Sequence, residues 1–578
     1  MRYLILLLAA YLLNIPASTA QLLIRNTQVL DVENKKILSG YDVMVQDGKI
    51  ISITKGKKLN PAAGTLEIDG TNQWLMPGLA DAHVHFFQSG GLYTRPDAID
   101  LRKYRPYAEE IKWSHEHFEE LLRMYLSAGI TSVTDVGATI NLLQQRDSFA
   151  NKTYAPLIQM TGPLITTWLP PQFKNLGKDA PFVEIKNEQE ARKAVQDQLP
   201  YHPDFIKIWY IVTDPNVEAG ARKNIAMVKA VIDEAHANGK RVAVHAMERI
   251  TAQLAVEAGA DYLVHNTDDG VIDDSFIQLL KEHKTVLCPT LVVGKNYEKV
   301  LSHQYQFSTF ELNRAHPFTV STILDYPWPD TSLAKQVTGF FKSPLMQARQ
   351  KTSDSISVVN LKKLSDAGVT IATGTDAGNI GTQHMTSYFD ELQAMSAAGL
   401  TNWQVLQSST LNPAVAMGQE KLWGSIAVNK TANMILLGAN PLDSLENLKK
   451  INFVINKGQV IRPDTFLHAS PVMLVQKQLN AYNARNLEAF LEPYADEVEI
   501  GKVGGKTEKM NKDKLKSDYS FINTVKYLYC RILNRIVVGN TVIDQEEVWL
   551  SPKPENLIHA AAVYLIRNGK IVKVLFSE

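Results

Sequence analysis

The stretch DFIKIWYIV, residues 204–212, is an extended apolar run with one lysine, Lys207, in its middle. Its β-branched and aromatic residues predict a β-strand with apolar neighbours. A buried ammonium group is unfavourable unless it is paired, neutralised or chemically changed. Two interpretations are open from this stretch alone: an edge strand whose lysine reaches solvent, or a buried strand whose lysine has a chemical role.

Similar apolar runs recur along the chain, and amphipathic stretches such as NIAMVKAVIDEAHANGK (224–240) predict helices between them. This alternation predicts an α/β fold with a (β/α)8 TIM-like barrel over residues 76–420, whose chemistry gathers at the C-terminal ends of the strands. The long segment 294–368 is expected to add helices over the barrel mouth. The predicted barrel strands are 79–84, 130–136, 156–161, 205–210, 242–246, 262–265, 286–291 and 369–373.

Short strand patterns flank the predicted barrel on both sides. Residues 21–75, with an Asp47-Gly48 hairpin signal, and residues 421–465 predict one composite β-sandwich domain. Residues 472–578 predict a helix pair followed by long antiparallel strands, which indicates a separate α+β domain.

The first twenty residues, MRYLILLLAAYLLNIPASTA, predict a cleaved secretory signal peptide and an exported, periplasmic or secreted chain that starts at Gln21. Their apolar stretch is shorter than the roughly 20 residues that cross a bilayer, so no stable membrane span is expected after cleavage. Because 60 basic residues balance 60 acidic ones, no global charge favours nucleic acid. Cys288 and Cys530 lie in apolar runs and are predicted to be free buried thiols.

Histidine and aspartate residues lie at the ends of several predicted strands. His83 and His85 share one face of the first strand, so both imidazoles can reach one metal ion. His245 and His265 end the fifth and sixth strands, and Asp376 follows the eighth. Each residue alone also has a structural interpretation, but their equivalent positions together predict a metal site.

These residues lie in the blocks PGLADAHVH, FIKI, VAVHA, GADYLVHN and GTDAG, followed by STLNPA and GSIAVNKTANMILL. In that order they resemble the amidohydrolase superfamily, specifically its imidazolonepropionase-like and prolidase-like binuclear metal hydrolases, over residues 21–465. The resemblance implies two divalent metal ions, with zinc as the expected metal. It implies His83, His85 and Asp376 on one ion, His245 and His265 on the other, and Lys207, carboxylated by CO2, on both.

By the same resemblance, a hydroxide held between the ions is the nucleophile, and Asp376 accepts its proton and delivers it to the leaving amine. The implied reaction is hydrolysis of a C–N amide bond in a small molecule or short peptide, as in a dipeptidase or N-acyl amino acid hydrolase. A cyclic amide or lactone hydrolase and a catalytically idle metal-retaining binding protein remain alternatives. So does a single-metal deaminase that uses Glu248, although such deaminases lack the lysine of the fourth strand.

Substrate-binding residues are less clearly marked in the sequence. Tyr210 and His384 are candidates, with packing and a surface loop as their respective alternatives. Lys295, Arg314 and Arg349 are candidates for holding a substrate carboxylate. Residues 472–578 resemble the SnoaL-like α+β family related to nuclear transport factor 2, which implies a pocket or a homo-oligomer contact. No catalytic cluster is recognised there, and His559 is expected to be structural.

Overall fold

The computed structural model describes residues 21–56, 59, 61–326, 329–551, 553 and 556–577. The predicted signal peptide lies outside the described residues. Among the described residues, no helix combines the length and the apolar character needed to cross a bilayer.

The strands fall into four hydrogen-bonded sheets. In chain order they are β1 Gln21–Asp31, β2 Lys36–Gln46, β3 Lys49–Lys55, β4 Leu66–Asp69, β5 Trp74–Pro77, β6 Leu79–Val84, β7 Ile130–Asp135, β8 Leu157–Met160, β9 Leu164–Thr166, β10 Phe182–Glu184, β11 Ile206–Trp209, β12 Val242–His245, β13 Tyr262–Val264, β14 Val286–Cys288, β15 Met434–Leu437, β16 Ile451–Asn456, β17 Gln459–Ile461, β18 Tyr494–Lys502, β19 Thr507–Asn511, β20 Tyr529–Val538, β21 Thr541–Trp549, β22 Ile558–Arg567 and β23 Lys570–Ser577.

Helices follow most of the parallel strands and also precede the C-terminal sheet. The α-helices are α1 Tyr107–Ser127, α2 Ile140–Arg146, α3 Glu188–Gln196, α4 Val217–Ala237, α5 Arg249–Glu257, α6 Asp274–His283, α7 Val293–Leu301, α8 Thr309–Arg314, α9 Pro317–Leu324, α10 Thr331–Phe341, α11 Pro344–Asp366, α12 Thr386–Ala397, α13 Asn402–Ser408, α14 Leu411–Ala416, α15 Pro463–Phe466, α16 Pro471–Asn483, α17 Leu487–Leu491 and α18 Lys512–Asp518. Short 3-10 helices lie at Asp147–Phe149, Pro171–Phe173, Gly177–Asp179, Leu199–Tyr201, Leu445–Lys449 and Ser520–Asn523.

Strands from both ends of the predicted composite domain form one eight-stranded sheet, in the order β17-β16-β15-β5-β1-β2-β3 with β4 beside β1. β1 carries register shifts between Ile24 and Gln28, and its two halves pair with β4 and β5 respectively. The Ala432 N–H donates to the Gly48 carbonyl and so ties the β3 edge to the segment before β15. We expected a sandwich; the strands share one hydrogen-bonded sheet. Some of its buried apolar residues, such as Leu75 and Leu436, form a cluster of their own, while others, such as Met76 and Ile435, belong to the large central core.

The parallel strands form a three-stranded sheet, β6-β7-β8, and a six-stranded sheet, β10-β9-β11-β12-β13-β14. The third predicted strand is broken at Gly162-Pro163, and β8 pairs with β7 while β9 pairs with β11. Proline has no N–H to donate, which explains the interruption. The eighth predicted strand is reduced to one bridge between Ile371 and Leu287, and the Ala82 N–H donates to the Thr373 carbonyl on its other side. This segment joins the two sheets into a TIM-barrel-like fold.

The C-terminal residues form a six-stranded sheet in the order β19-β18-β23-β22-β21-β20, with only β18 and β23 parallel to each other. α16 lies between this sheet and the helices inserted after β14. The Asn480 side chain donates to the Pro317 carbonyl at 2.7 Å, and Lys477 Nζ donates to the Asn313 carbonyl at 2.7 Å. Apolar residues of the C-terminal sheet and of α7–α10 belong to one buried cluster, so the two regions share packing.

Candidate metal centre

Three buried side chains from the first and last parallel segments meet at the C-terminal end of β6. His83 Nε2 and His85 Nε2 lie 3.3 Å apart. Asp376 Oδ1 lies 3.2 Å from each of these two nitrogens. The structure therefore brings together the three residues that the family resemblance assigns to one metal ion.

Two more histidines complete the cluster. His245 is the last residue of β12, and His265 directly follows β13. The ring centroid of His265 lies 5.0 Å from that of His83 and 4.4 Å from that of His245. The potential ligand atoms of His83, His265 and Asp376 all lie within 4.8 Å of one another. The sequence-predicted histidines thus share one site.

Lys207 lies in β11 beside this cluster and is 1% exposed. It pairs in register with Ala243 of β12, two residues before His245. No hydrogen bond or ion pair of its ammonium group occurs within the described ranges, and burial lowers the pKa of Lys207 to about 7. The buried-strand interpretation therefore holds, and the edge-strand interpretation is wrong.

The backbone around the site is locally strained. Asp376 and His265 adopt left-handed φ angles of 60° and 78°, which are uncommon for residues other than glycine and cluster at functional sites. Gly374 allows the last parallel segment to approach β6, because a Cβ there would lie 2.5 Å from Cys288 Sγ and 2.7 Å from His83 Cβ. The close approach that places Asp376 near His83 thus requires a glycine.

Two buried carboxylates support the ends of β6 and β7. Asp81 accepts hydrogen bonds from the His83 N–H at 3.3 Å and from the Thr375 hydroxyl at 2.8 Å. Asp135 accepts the Phe86 N–H at 3.0 Å. Burial raises the pKa of Asp81 to about 7 and that of Asp135 to about 6. Both carboxylates face backbone donors, so they hold the ligand-bearing segments in place.

The protonation states of the cluster suit a metal ion. His85 Nδ1 donates to the Gly137 carbonyl at 3.0 Å, so Nε2, the atom that faces Asp376, is the one available to bind a metal ion. Burial lowers the pKa of His83 and His245 well below the usual value, and that of His265 to about 4. Neutral imidazoles and an ionised carboxylate are the forms that bind divalent ions.

Asp376 supplies the negative charge of the cluster. Burial acts to raise its pKa, but the neighbouring His83 and His85 more than offset this and hold the pKa well below the usual range. His83 Nδ1 is buried without a hydrogen-bond partner. Four imidazoles, one carboxylate and an unpaired buried lysine fit a site for divalent metal.

A cleft of about 320 Å³ opens above His245, His265 and Asp376. Trp209, Met247 and the β14 loop give it an apolar wall, while Asp268 and Asp354 add carboxylates from the loop after β13 and from α11. The expected insertion therefore borders the site directly.

Sequence patterns did not indicate three further polar residues of this cleft, Arg95, Tyr297 and Asn379. They lie in loops and in an inserted helix, where no strand-end pattern marks them. The GTDAG block, which marks Asp376, ends one residue before Asn379, so it indicates the loop that carries Asn379 but not the residue itself.

Tyr210 and His384 do not line the cleft as the structure describes it. The Tyr210 hydroxyl donates to the Ala221 carbonyl at 2.5 Å, which places this side chain in packing against α4. His384 is buried, and its ring stacks on Phe86 at a centroid distance of 5.3 Å. Both side chains are held inside the fold and lie outside the lining of this cleft.

The other candidate residues are not part of the cleft lining either. Glu248 accepts a hydrogen bond from the Thr251 hydroxyl at 2.8 Å. Lys295 Nζ lies 3.8 Å from Asp354 Oδ2, next to the cleft. Arg314 lines a separate small pocket with Phe310 and Phe389, Arg349 is exposed, and His559 is an exposed residue of β22.

Comparisons with known proteins agree with this geometry. The model of the amidohydrolase family matches residues 74–462. An uncharacterized protein of Mycobacterium bovis is 22% identical over 282 residues, which are 49% of this chain and 64% of that protein. An adenine deaminase of Paracoccus denitrificans is 35% identical over 68 residues, 11% of either chain. The chain thus spans less than two thirds of the first of these relatives.

Solved structures show the same fold over most of the chain. A putative prolidase from Bifidobacterium longum has a TM-score of 0.56 and 23% identity, covering 77% of this chain and 95% of that one. A Xaa-Pro dipeptidase with bound methionine has a TM-score of 0.57 and 22% identity, covering 77% and 100%. The ochratoxinase of A. niger has a TM-score of 0.57 and 18% identity, covering 77% and 96%.

Proposed function

Because the chain belongs to the amidohydrolase family, we propose that it is a metal-dependent hydrolase that cleaves a C–N amide bond in a small molecule or short peptide. The observation that carries this proposal is the buried convergence of His83, His85, His265 and Asp376 beside the unpaired Lys207. A structural core would not collect so many imidazoles around one carboxylate and one unpaired lysine.

Two divalent ions, with zinc as the expected metal, would lower the pKa of bound water and polarise the scissile carbonyl. His83, His85 and Asp376 would hold one ion, and His245 and His265 the other. Lys207 would bind both as a CO2-derived carbamate, which also accounts for its burial without a direct ion-pair partner among the described residues.

Asp376 would act as the proton-transfer group. It lines the cleft, and its pKa is held below the usual range by His83 and His85. Its carboxylate would accept a proton from the attacking water and deliver it to the leaving amine. The apolar wall at Trp209 and Met247 would hold an apolar part of the substrate.

A prolidase-like dipeptidase or an N-acyl amino acid hydrolase is the first choice, which the prolidase-like fold neighbours support. A cyclic amide or lactone hydrolase is second. A single-metal deaminase is disfavoured, because Glu248 bonds to Thr251 and does not line the cleft. An idle metal-retaining binding protein would keep the ions and turn over nothing.

The test is a screen of dipeptides, N-acyl amino acids, lactones and adenine against the zinc-loaded protein, with bound metal measured in the same samples. We expect two ions per chain and amide hydrolysis, both strongly reduced in His83→Asn and His265→Asn. Ammonia release from adenine with one bound ion would move the assignment to a deaminase. Two ions with no turnover of any class would support the binding protein.

We also propose that the mature chain is exported, to the periplasm or the medium, after removal of the signal peptide. Residues 472–578 would form a SnoaL-like domain, which their helices followed by a six-stranded sheet support. Self-association through this region is a further expectation, and size-exclusion chromatography with light scattering would test it.

A further inference from the structure

Asn379 lies three residues after Asp376 and uses the full hydrogen-bonding capacity of its side-chain amide. Its Nδ2 donates to Asp376 Oδ1 at 2.7 Å and to the Asp376 carbonyl at 3.1 Å. Its Oδ1 accepts Arg95 Nη1 at 2.7 Å and the Tyr297 hydroxyl at 2.7 Å. An amide has two N–H donors and two acceptor positions, so every one is used.

The orientation of this amide follows from its partners. A guanidinium can only donate, so the oxygen of Asn379 must face Arg95 and the NH2 group must face Asp376. Arg95 is in turn fixed by a bidentate pair with Asp97, Nε to Oδ1 at 2.8 Å and Nη2 to Oδ2 at 2.6 Å. A chain of charge-assisted bonds therefore runs from Asp97 through Arg95 and Asn379 to Asp376.

Asp376 combines a left-handed backbone with close contacts to two histidines. Its backbone has the left-handed φ of 60°, and its Oδ1 lies 3.2 Å from both His83 and His85. Asn379 contacts both the strained backbone carbonyl and the same Oδ1. Arg95, Tyr297 and Asn379 all line the cleft. Their hydrogen bonds therefore approach Asp376 from the side of the cleft.

We propose that Asn379 is a positioning residue for Asp376, and that Arg95 and Tyr297 act through it by fixing the direction of its amide. The role is to hold the Asp376 carboxylate in the one orientation that serves both ligation and proton transfer. This inference rests on the function proposed above for Asp376, but it concerns residues that lie outside the predicted ligand set.

The sharpest test is Asn379→Asp beside Asn379→Ala. The aspartate keeps oxygens that face Arg95 and Tyr297 but places an oxygen, without a proton to donate, against Asp376 Oδ1. If Asn379 only fixed the loop by accepting hydrogen bonds from Arg95 and Tyr297, the aspartate would preserve both function and stability. If it positions Asp376, the aspartate fails as the alanine does, with roughly a 10-fold to 100-fold loss in zinc affinity or kcat, as is typical for partners of metal ligands.

Zinc affinity, from competition with a chelator, and the visible spectrum of the cobalt-loaded protein are read without any substrate. Tyr297→Phe keeps the ring and removes one of the two donors to Asn379, so we expect the same direction of change at a smaller size. This variant also decides the question if Asn379→Asp fails to fold. Wild-type zinc affinity, cobalt spectrum and kcat in Asn379→Asp, or in Tyr297→Phe when the first does not fold, would overturn the proposal.

The readouts separate this inference from the proposed function. If the wild-type protein binds metal but hydrolyses no amide, the proposed function fails, while the change in metal affinity still tests the role of Asn379. If the wild-type protein is active and Asn379→Asp matches it in affinity and kcat, only the positioning role fails.

Discussion

Asp376 Oδ1 lies 3.2 Å from His83 Nε2, which joins the last parallel segment of the barrel-like fold to the first. The backbone repeats this connection, because the Asp376 N–H donates to the His83 carbonyl at 2.7 Å. The site therefore depends on closure of the fold at this seam, where Gly374 permits the contact. Side chains at this seam should affect metal binding and folding together.

Replacement of Lys207 is expected to remove most of the bound metal. Lys207→Ala deletes the buried lysine beside the histidine cluster, so the site loses the anionic ligand that would bind both ions. We expect activity to fall by at least about 100-fold and zinc content to drop in parallel, measured by elemental analysis. Acetate or propionate at high concentration would partly restore both where the small anion fits the vacated space.

The matched control is Lys223→Ala, which changes an exposed lysine of α4 and should leave metal content and activity unchanged. Full zinc content and full activity in Lys207→Ala would exclude the lysine from the mechanism.

Activation of the metal-free protein should depend on CO2 and on pH. Burial lowers the pKa of Lys207 to about 7, so the ammonium form predominates below that pH and the neutral amine above it. Only the neutral amine attacks CO2, forming the N–C bond of a carbamate and releasing a proton. At equal dissolved CO2, zinc-dependent activity should therefore return faster at pH 8 than at pH 6.

The carbamate carbon can be observed directly by NMR after incubation with labelled bicarbonate and zinc. Recovery at the same rate in CO2-free buffer, or without any dependence on pH, would contradict the modification of Lys207.

His384 is expected to stabilise the fold without contacting substrate. Its Nε2 donates to the Gln88 carbonyl at 2.8 Å, so its Nδ1 accepts the Tyr125 hydroxyl at 3.1 Å. Burial lowers the pKa of His384 to about 4, which keeps the ring neutral at pH 7. His384→Ala leaves two buried groups unpaired and a cavity beside Phe86, at a cost of about 2–4 kcal/mol in the free energy of unfolding.

Urea unfolding measures this cost, and His283→Ala, at an exposed histidine of α6, should change stability by less than about 0.5 kcal/mol. A large rise in KM for His384→Ala, with unchanged stability, would instead restore the substrate-binding role expected from the sequence.

The parts of this site that sequence could predict are those tied to regular structure. His83, His85, Lys207, His245 and His265 are marked by apolar strands that end near them, because strand periodicity fixes which way each side chain points. Asn379, Arg95 and Tyr297 have no such marker, since their meeting depends on loops and an inserted helix.

Contacts that depend on loops also explain where the fold differs from the one predicted. The third strand breaks at Gly162-Pro163, and residues 369–373 form an isolated bridge at Ile371 and a hydrogen bond at Thr373 in place of a regular strand, although their composition predicts a longer one. Tyr210 follows β11 in an apolar run that does not reveal the direction of its side chain. Its hydroxyl donates to Ala221 instead of facing the cleft.

Export remains a prediction, and mass spectrometry tests it. Protein exported from a bacterial host should begin at or near Gln21, because the apolar stretch before it is typical of a signal peptide. Leu7→Arg interrupts that stretch with a charge and should retain the full-length chain inside the cell. Recovery of a membrane-anchored chain that keeps Met1 would overturn this prediction.

Tyr529 should stabilise the contact between the C-terminal sheet and the inserted helices. Its hydroxyl donates to Asp325 Oδ1 at 2.6 Å, and burial raises the pKa of Asp325 while this hydrogen bond opposes the shift. Tyr529→Phe keeps the ring but removes the donor, so the carboxylate loses a partner in a partly desolvated position. We expect a loss of about 1–3 kcal/mol in the free energy of unfolding, with unchanged zinc content and kcat for the folded protein.

Tyr527→Phe is the matched control, because Tyr527 is 48% exposed and its change should cost less than about 0.5 kcal/mol. Equal stability of the two variants would show that the Tyr529 hydrogen bond adds nothing to this interface.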